Sequence, residues 1–214
     1  RVVNENTLDE NEWLNWVFRA FQSVYGYEFQ GDNLLIARIN LLMTFCDYLK
    51  SRWDRDATKS EITKIINIIC WNFWQMDGLE KVVPFGKPRE EYPQLTLWNY
   101  DFEEDEETGT DEDCMIYDWR HNHSKLFKEI EKRGNGMKFD FVIGNPPYQE
   151  TQEGTSDKPV YNDFMDAAYA VADRVELITP ARFLFNAGKT PKVWNEKMLN
   201  DKHLKVLYYE QDSS

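Results

Sequence analysis

Cysteine is scarce in this chain of 214 residues: Cys46, Cys70 and Cys114 are odd in number, widely spaced and form no C-x-x-C pair. A disulfide framework is excluded, and reduced thiols in a cytoplasmic protein are expected. Histidine is equally scarce, with three copies. His121-x-His123 and the nearby Cys114 offer only three ligands at unusual spacing, so no metal site is expected. No Ser-His-Asp constellation can be assembled either. Phe45, Ile69 and Asp113 precede the cysteines, so the Pro-Cys nucleophile of covalent cytosine chemistry is missing. No apolar run approaches the roughly 18 residues needed to cross a bilayer, and nothing resembles a signal peptide. Positive charge is also in deficit: 25 Lys+Arg face 38 Asp+Glu, for a net charge of −13. Taken whole, that balance argues against a nucleic-acid partner.

The distribution of the acids weakens that exclusion. Residues 101–113 hold nine acids and no base, and without them 25 bases face 29 acids. Most of the excess is one local run, unlike a calcium loop because it lacks the regular ligand spacing. Apolar residues make up 42% of the chain and aromatics 15%, with 8 Trp, so a packed core is expected rather than disorder. The length suits one α/β domain, or one and a half. The sequence starts at Arg1 and stops just past a strand-like run, which reads as a piece of something longer.

Local patterning predicts strands alternating with helices. Asp9 is a helix start, followed by an apolar face of Trp13, Trp16, Val17, Ala20 and Phe21. Residues 23–29 (SVYGYEF) read as a strand. Asp32 is expected to cap a helix through Trp53, with Leu35, Ile36, Ile39, Leu42, Met43 and Leu49 buried. The run 65–73 reads as a helix end leading into a buried strand. Residues 77–135, with Pro84, Pro88, Pro93 and the acidic run, read as an irregular insertion with one short helix at 124–132. Residues 139–144 (FDFVIG) are a strand, 161–172 a helix, 174–179 a strand, 192–199 a helix and 205–209 a last strand. Strands without polar alternation indicate a mostly parallel sheet with helices on both faces. Ligands in such sheets sit at carboxyl ends of strands, which points to positions after Phe29, Ile69 and Gly144.

Asn145-Pro146-Pro147-Tyr148 follows the third of these ends. Two prolines stiffen the backbone and forbid helix, so the turn projects its flanking groups predictably. Asn145 offers a side-chain carbonyl, Pro146 a main-chain carbonyl, and Tyr148 a flat ring. Two acceptors and an aromatic face are what is needed to hold a planar amine.

FDFVIGNPPYQ resembles motif IV of the S-adenosylmethionine-dependent amino methyltransferases, above all the N6-adenine DNA methyltransferases. VYGYEFQGDNLLIARINL resembles their motif II, in which an acid at a strand end accepts from the ribose hydroxyls of the cofactor; the match makes that acid Glu28. CWNFWQMDG resembles motif III, usually an acid followed by Phe, which contacts the cofactor's adenine; here the match gives Asn72 and Phe73. YNDFMDAAYAVADRVELITPARFLF resembles motifs V and VI, with residues near Thr179 and Pro180 bordering the site. The resemblance covers roughly residues 13–211 and is closest to the large restriction-associated adenine methylases of type IIG. It implies a Rossmann-like methyltransferase fold, incomplete at both ends, with residues 77–135 as a family-variable insertion. The family's Gly-rich first motif has no counterpart in residues 1–23, and a target-recognition domain is expected after Ser214.

The mechanism implied is methyl transfer from S-adenosylmethionine to the N6 amine of a flipped adenine, positioned by Asn145, Pro146, Pro147 and Tyr148 without a covalent intermediate. Double-stranded DNA is the expected partner of the longer protein, with weak DNA affinity for this acidic piece alone, and no membrane is expected. Two alternatives stay open. One is an amine methyltransferase acting on protein glutamine or RNA guanine; the other is a truncated, non-catalytic module.

Overall fold

The computed structural model describes residues 2–84, 112–130, 138–150 and 158–210. They fall into two compact units, Arg1–Lys132 and Arg133–Ser214. The first unit opens with helices α1 (Val2–Asn6) and α2 (Glu10–Gln22), then strand β1 (Gly26–Glu28), the long α3 (Gly31–Trp53), α4 (Lys59–Asn72) and β2 (Phe73–Gln75). The Asp9 carboxylate accepts the Glu12 N–H at 2.9 Å and so caps α2 as expected. Helix α4 starts with a complete capping box. Thr58 Oγ1 accepts the Glu61 N–H, and the Glu61 carboxylate accepts the Thr58 N–H. The hydrogen bonds from Arg55 to the same carboxylate hold its pKa down to about 2.

Trp13, Phe18, Phe45, Leu49, Ile65, Ile68 and Ile69 of α2, α3 and α4 form the core of this unit. Each fully buried large apolar side chain contributes roughly 1.5–3 kcal/mol, so this cluster dominates the stability of the unit. Two helix faces differ from the sequence reading. On α2, Phe18 is buried while Trp16 is exposed beneath the Arg19 guanidinium. On α3, Leu49 is buried and Leu42 partly so, but Leu35, Ile36, Ile39 and Met43 are exposed. The residues of α3 in this core lie between 41 and 53; in its amino half Leu34 is buried and Arg38 Nε donates to the Phe73 carbonyl. Asp32 lies inside the first turn; the cap position belongs to Gln30, which makes no side-chain cap bond.

β1 and β2 are parallel, with Gly26 opposite Phe73, Tyr27 opposite Trp74 and Glu28 opposite Gln75. A Cβ at Gly26 would lie 2.5 Å from the Phe73 ring, so only glycine fits this crossing. Two antiparallel pairs follow: β3 (Val82–Val83) with β4 (Glu112–Asp113), and β5 (Met115–Asp118) with β6 (His123–Leu126). The helix expected at 124–132 is instead strand β6 running into a 3-10 turn at Phe127–Glu129. The described part of the expected irregular insertion is ordered and docked on β1 and β2. Tyr25 Oη donates to the Tyr117 carbonyl at 2.8 Å, Cys114 Sγ to the Gln75 carbonyl at 3.4 Å, and the Tyr27 and Phe127 rings sit 4.6 Å apart. Residues 85–111 and 131–137, including nearly all of the acidic run, lie outside the described residues.

The second unit contains β7 (Phe139–Gly144), β8 (Gln149–Glu150), β9 (Lys158–Pro159), α5 (Tyr161–Val171), β10 (Ala172–Leu177) and α6 (Lys192–Leu199). β7 and β10 are parallel, and β8 and β9 form an antiparallel pair. One face of the β7–β10 pair turns Leu177 into a core of Tyr161, Met165, Phe183, Trp194 and Met198. On the other face Phe141 and Ile143 are exposed, Ile143 at 80%. The molecule is thus mixed α/β with small parallel sheets, and the larger sheet covered on both faces is not seen among the described residues. The strand expected at 205–209 does not form; Val206, Leu207, Tyr208 and Tyr209 are exposed and pair with no neighbouring strand. Among the described residues no helix is long and apolar enough to cross a membrane.

Candidate functional site

The carboxyl ends of the two parallel pairs carry the polar groups singled out by the sequence. In the first unit, Glu28 is the last residue of β1 and half-buried, and its Oε1 accepts the Gln30 N–H at 3.0 Å. The Glu28 carbonyl accepts the Met76 N–H at 3.0 Å, so the parallel ladder extends one rung past β2. Gln75 Nε2 donates to the Phe29 carbonyl at 2.9 Å and ties the two strand ends together. Glu28 therefore presents a carboxylate at a rigid strand end, held from one side by its own turn.

Asn72 and Phe73 do not join it. The parallel register puts Phe73 opposite Gly26, at the amino end of the pair, and about 10 Å of strand separates Asn72 from Gln75. Asn72 belongs to the last turn of α4 and is fully buried. Its Nδ2 donates to the Phe21 and Val24 carbonyls, both at 2.9 Å, and its Oδ1 accepts Trp119 Nε1 at 2.7 Å. Phe73 packs on the helical core, and its carbonyl accepts Arg38 Nε at 3.0 Å. Sequence reasoning put this strand end after Ile69, but α4 continues to Asn72 and the strand ends at Gln75.

The residues that do follow β2 are Met76, buried, and Asp77, half-buried. Asp77 Oδ1 accepts the N–H groups of Leu79 and Glu80 at 2.9 and 3.0 Å, which fixes its turn. Asp77, an acid one residue past the extended ladder, is not among the residues that the sequence patterning singles out. The neighbouring groups are non-polar in behaviour. Burial pushes the Cys114 thiol up to about 12 and the Tyr25 hydroxyl likewise to about 12.

In the second unit, Gly144 ends β7 opposite Leu177, and its carbonyl accepts the Ile178 N–H at 3.0 Å. The turn Asn145-Pro146-Pro147-Tyr148 begins on the next residue. Asn145 and Pro147 are exposed, Pro146 is half-buried and Tyr148 is 43% exposed. Asn145 makes no side-chain hydrogen bond among the described residues, so its amide is open to a ligand. The Tyr148 carbonyl accepts the Val160 N–H at 3.2 Å. The pairs Gln149 with Pro159 and Glu150 with Lys158 then close the base of a hairpin directly behind the turn. The turn is thus clamped on one side by β10 and on the other by this hairpin. Thr179 and Pro180 follow Ile178, at the same sheet edge.

Among the described residues no three His, Cys, Asp or Glu side chains converge as metal ligands. His121 instead contacts Asp118 Oδ2 at 2.9 Å, and Cys114 is buried against Gln75.

With that geometry in view, comparison with known proteins gives a family. The model of the Eco57I restriction-modification methylases matches residues 22–214, and the chain belongs to that family. A protein of Mycoplasma pneumoniae described as an uncharacterized adenine-specific methylase is 31% identical over 108 residues. That match covers 48% of this chain and 26% of the relative's length, so the chain spans about a quarter of the curated relative. No solved structure matches.

Proposed function

We propose that this chain is catalytic-domain sequence of a DNA methyltransferase that moves a methyl group from S-adenosylmethionine to the N6 amine of adenine, within a restriction-modification system and on a Rossmann-like scaffold. The observation that carries this reading is the open Asn145-Pro146-Pro147-Tyr148 turn at the carboxyl end of β7, in a chain of the adenine-methylase family. The lone pair of an N6 amine is conjugated with its ring. Acceptors at Asn145 Oδ1 and the Pro146 carbonyl take hydrogen bonds from its two N–H groups and turn the lone pair toward the methyl donor, and Tyr148 stacks on the base, a contact worth about 1–3 kcal/mol. Pro147 holds the two acceptors in register. A base in a duplex reaches the turn only when flipped out of the stack. Positioning and electrostatics supply the catalysis.

The residues present fit the cofactor's nucleoside half. Glu28, with Oε1 turned into its own loop, has its second oxygen for a ribose hydroxyl. Met76 and Asp77, at the same strand edge, are the groups for the adenine ring and its amine. Asn72 and Phe73 are assigned to the scaffold because both stand at the opposite end of the strand. Bound S-adenosylmethionine supplies the electrophilic methyl group. The substrate reading is tested by Asn145→Ala in the intact gene product. Loss of at least a hundredfold in N6-methyladenine formation, with S-adenosylmethionine affinity within twofold, is expected. Undiminished turnover would sink the assignment.

A further inference from the structure

The acidity of the chain stops abruptly beyond β10. Residues 177–195 contain Arg182, Lys189 and Lys192 and no acid, in a molecule whose net charge is −13. The segment leaves the sheet at Ile178, whose N–H is bonded to the Gly144 carbonyl, so it starts at the edge from which Asn145 projects. It is also held in shape. Ala181–Phe185 forms a 3-10 turn closed by left-handed Asn186 (φ 53), with the Asn186 N–H on the Phe183 carbonyl at 3.1 Å and the Ala187 N–H on the Arg182 carbonyl at 3.0 Å. Gly188 has φ 94, and a Cβ there would sit 3.4 Å from Arg182 Cβ, so the turn passes close over that residue. Phe183 is buried with its ring 5.3 Å from Trp194, and Thr190 Oγ1 donates to Asn195 Oδ1 at 2.8 Å, both residues buried. Between these anchors Arg182, Lys189 and Lys192 are exposed.

A loop fixed in the core at both ends and basic only on its outer side is suited to a polyanion. We propose that residues 178–192 are a phosphate-contact surface, with Arg182, Lys189 and Lys192 gripping the DNA backbone beside the base presented to Asn145 and Tyr148. This rests on the adenine-methylation reading and adds the element that registers the duplex against the turn. Phosphate contacts position a duplex without reading its sequence, so the loop sets affinity and its salt dependence rather than site choice.

The test uses the intact gene product carrying R182Q/K189Q/K192Q, with folding verified by circular dichroism and R182Q alone as the milder variant. Fluorescence anisotropy with a labelled duplex over a range of salt gives the slope of log K against log salt. Each lost contact removes about 0.9 from that slope. The expected result is a slope shallower by about 2–3 for the triple variant and about 1 for R182Q. A control of equal charge change on the first unit, K50Q/K59Q/K64Q, leaves the slope as it was. An unchanged slope in the loop variant, or an equal fall in the control, overturns the proposal. Should the wild-type protein methylate no adenine while the loop variant still loses slope, the contact surface stands and the substrate reading falls.

Discussion

Asn72 is buried where the end of α2, the connection from α2 to β1 and the β5–β6 hairpin meet, and it bonds to all three. Removing its amide takes one of several donors from the Phe21 carbonyl and takes the Asn72 partner from the Val24 carbonyl and the Trp119 indole N–H, each such loss costing about 1–3 kcal/mol when buried. Asn72→Ala is therefore expected to lower stability by roughly 2–5 kcal/mol, read as a fall in the urea midpoint. Asn72→Asp separates a bracket from a ligand contact. A carboxylate keeps the acceptor for Trp119 but loses both donors and buries a charge. As a bracket, Asn72→Asp is strongly destabilised at pH 7 and partly rescued at low pH; as a cofactor contact, it folds normally and binds S-adenosylmethionine at least as well. The residue letter alone could not make this distinction, because the partners Phe21, Val24 and Trp119 are brought to Asn72 only by the fold.

At the scale of elements, what was readable in the sequence was local. The Asp9 cap, the helix at 161–171, the β7 strand and the Asn145–Tyr148 turn depend on residues within a few positions of one another, and the structure places them where patterning predicts. What was not readable depends on distant partners. The face of α3 is chosen by α2 and α4, so the apolar letters Leu35, Ile36 and Ile39 could not say which way they turn. β6 is a strand because β5 pairs with it, although residues 124–132 read as a helix, whereas residues 205–209 have strand-like letters and pair with no strand among the described residues. Such nonlocal choices also carry their own chemistry. Glu61 serves α4 as a cap and Arg55 as an ion partner, and its pKa falls from the ordinary 4.5 to about 2. A lowered carboxylate stabilises the fold fully above about pH 4.5 and loses that contribution as pH falls towards 2. In Glu61→Gln the acid limb of a pH titration of folding, followed by tryptophan fluorescence, is expected to flatten between those values, with a loss near pH 7 on the order of 1 kcal/mol.

For the molecule as a whole, charge is divided unevenly between the two units. Residues 133–214 hold 10 of the 25 bases and 12 of the 38 acids, so the negative excess belongs to the first unit. The unit that carries the Asn145 turn is close to neutral, and the whole-chain charge is a poor guide to its partner. The strand-end rule picked out residues that do lie at carboxyl ends of strands only where the strand boundary was legible. It placed Glu28 and Asn145 at carboxyl ends, and it put the end of β2 too early because the helix before it runs further than its apolar letters suggest.

The three thiols are graded in access: Cys70 is exposed, Cys46 intermediate and Cys114 buried. Burial also pushes Cys114 up to about 12, so its thiolate is scarce at neutral pH while the hairpin is docked. Alkylation kinetics on the native chain thus form an internal clock. Cys70 is expected to react at once, and Cys114 only at the rate and frequency with which the β5–β6 hairpin detaches from Gln75. Asn72→Ala, which removes the bond from Trp119 of the same hairpin to the end of α4, is expected to speed the Cys114 phase and leave the Cys70 phase alone. Mass spectrometry of the modified peptides separates the two. The edge carrying Glu28 thereby has a chemical reporter of its own integrity, legible with no ligand bound.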